Sequence, residues 1–229
     1  MNSLARSDIW IVMPAYNEEA RLEATLRSLA ESGCSIVVVD DGSTDRTYDV
    51  ALNQGVWVLR HVINRGAGAA SQTGFDFALR RGARVLVTFD ADGQHCVADL
   101  DGMIRPIAEG EADVVLGSRF LGKAINMPAS RRLVLKAGVL FTRLFSHIAV
   151  TDTHNGFRAF SRAAAERIRI RQDRFAHGSE ILDQIRPKGL RYREMPVTIR
   201  YTTETLRKGQ SSWNAFRIVA QLLVGRVLQ

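Results

Sequence analysis

Val85-Leu86-Val87-Thr88-Phe89-Asp90-Ala91-Asp92-Gly93-Gln94 is an apolar run that turns abruptly into two carboxylates and an amide. A run this short, rich in valine and bounded by turn residues, reads as a strand buried on both faces. Carboxylates at i and i+2 leave an extended chain on the same side, so Asp90 and Asp92 can share a hard divalent cation, Mg²⁺ or Mn²⁺, and Gln94 can add a neutral oxygen. Such an ion would bridge the protein to a diphosphate and cancel the charge that grows on a leaving nucleotide. Asp-x-Asp also occurs as a plain solvated turn. Its position favours a ligand here, because ligands of open α/β sheets bind beyond the carboxyl ends of the strands.

Upstream, Ile9 to Met13, Ile36 to Val39 and Val56 to Leu59 are apolar runs of the same kind, and Asp113 to Leu116 is another downstream. Each is expected to be a parallel strand buried on both faces. Between them, Leu22, Leu26 and Leu29 fall on one helical face, Gly68 to Leu79 has the length of a crossover helix, and Leu100, Ile104 and Ile107 mark a third helix. Alternation of this sort predicts βαβ units, an α/β Rossmann-like nucleotide-binding fold with a mostly parallel central sheet flanked by helices. After Gly117 the alternation stops. A basic apolar helix from about Arg131 to Val150 is expected next, then a tight segment around TDTHNGFRAF and a short helix from Gly178 to Ile185. An extended piece from Tyr192 to Tyr201, interrupted by Pro196, leads into a polar loop from Thr202 to Ser212 and a last amphipathic helix from about Trp213 to Leu228. The expected organisation is one catalytic domain over 1–212, with a nucleotide half to about residue 120 and an acceptor half after it, and the amphipathic helix over 213–229.

The chain has 229 residues, 46% of them hydrophobic, enough to bury a full core. No stretch resembles a secretory signal or approaches the roughly 18 uncharged residues of a membrane-spanning helix, so a cytoplasmic location is expected. The two cysteines, Cys34 and Cys96, form no metal-binding or disulfide pattern. A net charge of +7 favours anionic partners. Nucleic acid is disfavoured among these, since the basic residues come with no aromatic stacking platform.

The other strands also end in polar residues. The first runs into Pro14-Ala15-Tyr16-Asn17-Glu18-Glu19, the second into Asp40-Asp41-Gly42-Ser43, the fifth into Gly117-Ser118-Arg119. Asp40, with Asp41 beside it, stands where an acid can accept hydrogen bonds from a ribose or a base. Ser43 or Thr44 is expected to cap the following helix as well. Asn64-Arg65-Gly66-Ala67-Gly68 reads either as a phosphate-approaching loop, with Arg65 adding charge and Gly66 letting the backbone near, or as a plain connection. Arg119, at a strand end, can pair with phosphate oxygens.

Taken in order, P-A-Y-N-E-E, D-D-G-S-T-D, N-R-G-x-G, D-A-D-G-Q and G-S-R resemble the motifs of family 2 glycosyltransferases, the inverting enzymes of GT-A fold, over nearly the whole chain. The resemblance implies a metal-dependent transfer of a hexose from a UDP- or GDP-sugar. Asp90, Ala91 and Asp92 would lie at the diphosphate, and Pro14, Tyr16, Asn17, Glu18 and Asp40 would cradle the nucleoside. Asp92 and Arg119 would take part in catalysis.

The second half is similar to the polyprenol-phosphate branch, in which an Asp precedes G-F-R, here Asp152, Gly156, Phe157 and Arg158. That similarity implies a polyprenyl phosphate or other lipid acceptor, held by Arg131, Arg132, Arg158, Arg207 and Lys208, at the cytoplasmic face of a membrane. It leaves a homo-oligomer open. Members that transfer to hydroxyls tend to carry Glu-Asp and a later Q-x-x-R-W, whereas this chain has Thr151-Asp152 and no such later motif. A phosphate acceptor is already anionic and needs no base; if the acceptor is a hydroxyl, Asp152 is the candidate. One departure falls in the late loop, where Lys208-Gly209-Gln210-Ser211-Ser212 puts serine where relatives have the lysine of a Ser-Lys pair. On a helical projection Arg132, Lys136, Arg143 and His147 fall within about 60° of one another, with Leu133, Leu140, Phe141, Leu144 and Ile148 opposite and flanking. This pattern suits either a membrane interface or packing on the core.

Overall fold

The computed structural model describes residues 4–145, 148–174 and 176–201. The late loop with Arg207 and Lys208 and the expected C-terminal helix lie outside the described residues. Seven strands form one sheet in the order β3-β2-β1-β4-β6-β5-β7, with β1 at Ile9–Ala15, β2 at Ser35–Asp40, β3 at Trp57–Arg60, β4 at Val85–Thr88, β5 at Val114–Ile125, β6 at Arg158–Ser161 and β7 at Tyr192–Arg200. All neighbouring pairs are parallel except the two that β6 makes, with β4 and with β5. The mostly parallel α/β sheet expected from the sequence is present.

Side-chain alternation gives the sheet two apolar faces. Ile9, Ile11 and Met13 of β1 point into one core with Leu22, Leu26 and Leu29 of α1 (Glu19–Ala30) and Leu100, Met103 and Ile104 of α4 (Leu100–Ala108). Trp10 and Val12 point into the other, with Phe75 and Ala78 of α3 (Ala67–Arg80) and Ile181, Leu182 and Ile185 of α7 (His177–Ile185). Two shorter helices are α2 at Thr47–Leu52 and α6 at Arg162–Arg167.

Several expectations change. β3 is an edge strand with Trp57 45% exposed, rather than a strand buried on both faces; its Trp57 ring instead stacks on Trp10, meets Phe77 at a tilt and carries the Arg81 guanidinium. β5 does not stop at Leu116 but runs on to Ile125, pairing with β7 on both sides of an irregularity between Ser118 and Lys123. Gly117, Ser118 and Arg119 therefore sit within a strand, where its regular pairing breaks. β7 continues through Pro196 because it lies at the sheet edge, where a missing N–H is tolerated. The G-F-R segment leads into β6, an antiparallel strand the sequence reading does not anticipate, which inserts between β4 and β5.

The basic helix, α5 (Ala129–Phe145), starts near the expected residue but ends before Ile148 and Val150, which are buried beyond it. Leu135 faces inward, while Leu133 and Leu140 are 72% and 60% exposed beside exposed Arg132 and Lys136.

Candidate active site

The turns that leave β1 and β2 are knit together by their own motif residues. Ser43 Oγ accepts the Asn17 N–H (3.0 Å), Asn17 Oδ1 accepts the Thr44 N–H (2.9 Å), and Thr47 Oγ1 accepts the Glu18 N–H (2.8 Å). Asn17 adopts a positive φ of 53°, a conformation that asparagine tolerates better than most residues. Ser43 and Thr44 thus lock the first turn instead of capping α2, a job that falls to Asp45, whose Oδ1 accepts the Thr47 N–H (2.9 Å). Glu18 pairs with Arg21 at 3.1 Å, and the Tyr16 ring stays 44% exposed at the end of β1, beside half-buried Pro14.

The two adjacent acids after β2 have separate tasks. Asp40 is fully buried, takes the Ser43 N–H (3.1 Å) on one oxygen and faces the Arg60 guanidinium (3.1 Å) with the other. Asp41, expected beside the nucleoside, turns inward. Its oxygens accept the Arg65 N–H (3.0 Å) and the Gly66 N–H (2.6 Å), and His61 Nδ1 lies 2.7 Å away, so the carboxylate anchors the Asn64 to Gly68 loop.

That loop does not offer its backbone to phosphate either. The Asp173 carbonyl accepts the Gly68 N–H (2.8 Å) and caps α3. A Cβ at Gly66 would stand 2.3 Å from the same carbonyl oxygen, and one at Gly68 would stand 1.9 Å from the Gln172 oxygen. These glycines admit a neighbouring chain segment, which corrects the phosphate-loop reading of Gly66. Arg65 lies at the surface, 3.6 Å from Asp173.

Asp90 and Asp92 follow β4 as the spacing suggested. His95 Nε2 lies 2.9 Å from Asp90 Oδ2, and the imidazole is buried between the rings of Phe89 and Phe157. Asp92 Oδ1 accepts the Gln94 N–H (3.0 Å), and the Gln94 carbonyl accepts the Arg200 N–H (3.0 Å), tying the turn to β7. The neighbouring Ala91 is buried, its carbonyl taken by Thr25 Oγ1 (3.3 Å), so it supports the turn rather than reaching a ligand.

The two carboxyls are electrostatically unequal. Burial pushes Asp92 up, the nearby Asp90 charge pushes it further, and it reaches about 6. Burial is the largest influence on Asp90 and pushes it up, but His95, with His177 and Arg119, together outweigh it and hold that carboxyl below the usual range. Among the described residues, Asp90 Oδ1 and Asp92 Oδ2 have no hydrogen-bond donor, and the Asp90 side chain is 45% exposed. Two free, hard oxygens in mutual electrostatic range suit a divalent cation that takes its remaining ligands from a diphosphate and water. The described residues contain no group of three His, Cys, Asp or Glu arranged to hold a metal unaided.

Arg119 and Asp152 meet across β5 and the loop before β6. The Asp152 Oδ2 accepts both the Arg119 N–H (3.1 Å) and its Nε–H (2.6 Å), and Oδ1 accepts the His154 N–H (3.3 Å). Arg119 also donates to the Tyr201 hydroxyl and, at 2.9 Å, to the His154 carbonyl. Burial works against the guanidinium charge, but Asp152 and Tyr201 together more than compensate and raise its pKa. A carboxylate so engaged is not poised to remove a proton. Among the described residues, Asp152 stands as the ion-pair partner of Arg119.

Arg158, expected at the acceptor, is likewise internal. It is 5% exposed, donates to the Asn155, Gly178 and Thr153 carbonyls, and burial lowers its pKa to about 10. Arg131 remains partly accessible, with its guanidinium 5.1 Å from the centroid of the Tyr201 ring. Two residues, His95 and Tyr201, escape the sequence reading, and for a third, Gly156, its contact does. His95 was signalled only by its adjacency to the acidic turn. Gly156, where a Cβ would come within 2.6 Å of both Asp90 oxygens, was noticed as part of G-F-R without its contact. Tyr201 carried no local signal at all.

Residues 10–169 match the glycosyl transferase family 2 profile. The chain is 32% identical to the UDP-N-acetylglucosamine–dolichyl-phosphate N-acetylglucosaminyltransferase of Methanococcus voltae, covering 96% of this chain and 98% of that one. It is 37% identical to the undecaprenyl-phosphate mannosyltransferase of Micrococcus luteus over 65% of this chain and 64% of that protein. Among solved structures, glucosyl-3-phosphoglycerate synthase from Mycobacterium tuberculosis, in complex with Mn²⁺, UDP and its glucosyl product, superposes with a TM-score of 0.70 at 20% identity, covering 94% of this chain and 78% of that one. This last likeness concerns the fold alone.

Proposed function

This chain belongs to glycosyl transferase family 2, and from that premise we propose that it moves a hexose, with inversion, from a UDP- or GDP-sugar to polyprenyl phosphate at the cytoplasmic face of a membrane. The observation that carries the choice of acceptor is the state of Asp152. Its two oxygens accept N–H groups from Arg119 and His154, so a hydroxyl acceptor would find no ready base there. A phosphate oxygen needs none: it bonds to the anomeric carbon from one side while the bond to the nucleotide diphosphate breaks on the other, and that bonding pair leaves with the nucleotide. The named relatives from Methanococcus and Micrococcus support the reading, since both are described as acting on lipid phosphates.

Asp90 and Asp92 would hold Mg²⁺ or Mn²⁺, with Gln94 as a further neutral ligand. When bound, the ion would offset negative charge on the departing diphosphate. Tyr16 is available to stack on the base, and Pro14, Asn17 and Glu18 shape the turn beside it, with buried Asp40 bracing its floor. Arg119, oriented by Asp152, would balance charge between donor and acceptor phosphates, and Arg131 and Arg132 would meet the acceptor, with Arg207 and Lys208 assigned to the same task. The exposed leucines and basic residues of α5 would rest on the membrane surface.

The test is transfer from radiolabelled UDP- and GDP-hexoses to polyprenyl phosphate and, in parallel, to the corresponding polyprenol, with Mn²⁺ and with EDTA. The expected result is labelled lipid phosphate from one donor, lost with EDTA. Equal labelling of the alcohol would overturn the acceptor assignment, and undiminished transfer in EDTA would overturn the metal.

A further inference from the structure

Tyr201 occupies an unusual junction. It directly follows β7, is 2% exposed, and donates its backbone N–H to the Ile125 carbonyl (3.0 Å) at the end of β5. The residue before it, Arg200, donates its N–H to the Gln94 carbonyl (3.0 Å), and Ile199 bridges His95. The backbone leading into the ring is thus tied to the acidic turn and to β5, and the buried side chain is held in place. Its hydroxyl accepts from Arg119, and its face lies under the Arg131 guanidinium at 5.1 Å.

The two arginines reach this ring from different elements. Arg119 comes from the irregular part of β5 and Arg131 from the first turn of α5. Arg119 is paired with Asp152, but among the described residues the Arg131 guanidinium makes no ion pair, and its attraction to the ring leaves its charge uncancelled. A carboxylate in place of the ring would neutralise the cation it positions. An aromatic face orients the cation while leaving its N–H edge able to donate to an anion.

We infer that Tyr201 is a positioning residue that links two guanidinium groups, buried Arg119 at its hydroxyl and partly accessible Arg131 over its ring face, and so orients Arg131 toward the acceptor phosphate above the fixed charge of Arg119. The inference rests on the lipid-phosphate reading above and deepens it: the hydroxyl acts on the step in which charge passes between phosphates, and the ring acts on acceptor binding. The two contacts are separable, because Tyr201→Phe removes only the first while Tyr201→Leu removes both.

The probe is farnesyl phosphate in detergent micelles, with dissociation constants from titration calorimetry for wild type, Tyr201→Phe, Tyr201→Leu, and both substitutions in an Arg131→Ala background. Binding of UDP or GDP with Mn²⁺, measured on every variant, serves as the check that the nucleotide half is folded. Tyr201→Phe should bind farnesyl phosphate within about threefold of wild type yet turn over at least tenfold more slowly, whereas Tyr201→Leu should bind it about tenfold more weakly. In the Arg131→Ala background the difference between Phe and Leu should vanish. Its persistence there, or equal binding by the two single variants, would overturn the inference. A crystal structure of Tyr201→Leu separates this outcome from failure of the functional reading. Wild type that does not bind farnesyl phosphate sinks the acceptor assignment, whereas an Arg131 guanidinium unmoved without the ring sinks the positioning role.

Discussion

At the scale of single residues, Asp92 of the acidic pair after β4 works against folding stability. A carboxyl pushed up to about 6 stays protonated in the folded chain while its unfolded counterpart ionises near its ordinary value of about 4. The sign follows from proton uptake: between about pH 4 and 6 the folded state binds more protons, so stability falls as pH rises, and the penalty is complete above about 6. Removing the charge should remove that penalty. In metal-free buffer at pH 8, Asp92→Asn should be more stable than wild type by about 1 kcal/mol, after discounting for solvent screening, or about 2–4 °C in Tm. At pH 4 the two proteins should melt together. Differential scanning calorimetry at both pH values checks this, and a variant no more stable at pH 8 would contradict the electrostatic account. The same substitution should lower turnover on the order of 100-fold, as expected from losing one electrostatic partner of the transition state. Gly156 gives a second test. Because a Cβ there would lie 2.6 Å from both Asp90 oxygens, Gly156→Ala should displace that carboxylate and weaken Mn²⁺ affinity at least tenfold, measured by electron paramagnetic resonance, whereas Gly102→Ala, with open space at its Cβ, should leave it unchanged.

At the scale of elements, two features matter most: the way segment 171–174 closes over the start of α3, and the insertion of β6. The Asp173 carbonyl caps the helix and the Gln172 carbonyl fills the space a side chain would need at Gly68. Gly68→Ala must push these backbones apart, so it should destabilise the fold by about 2–3 kcal/mol, in the range of overpacking a tight contact. Urea unfolding gives the number; a loss under about 0.5 kcal/mol would mean that the segment is free to shift. β6 brings Gly156 to Asp90 and the loop before it brings Asp152 to Arg119, so the second half of the chain completes a site begun by the first. Thr88 Oγ1 holds this junction by donating to the Gly156 carbonyl at 2.5 Å.

At the scale of the whole molecule, the net charge of +7 is less informative than its distribution. Leu133 and Leu140 stand on the outward side of α5 flanked by Arg132 and Lys136, and Leu121 and Ile125 at the end of β5 are also exposed. Apolar side chains in solvent beside cations suit a surface of anionic lipid. Leu133→Asp with Leu140→Asp should abolish sedimentation with vesicles containing phosphatidylglycerol without lowering Tm, because neither leucine is in the core. Unchanged co-sedimentation would remove α5 from membrane contact. No helix among the described residues is long and apolar enough to cross a membrane.

Short apolar, valine-rich runs were enough to determine the mostly parallel sheet and the position of Asp90 and Asp92 beyond a strand end, because these depend on periodicity and on spacing within a few residues, and the resemblance of five ordered motifs pointed to the family. What each polar side chain faces was decided only by tertiary structure. Asp40 and Asp41 are adjacent in sequence, yet one faces Arg60 and the other anchors a loop; Asp152 finds Arg119 33 residues away, and Tyr201 finds it from 82 away. Burial and partner choice at such separations are set by strand order and by β6 entering between β4 and β5. That insertion depends on how the whole sheet packs, and no local pattern encodes it.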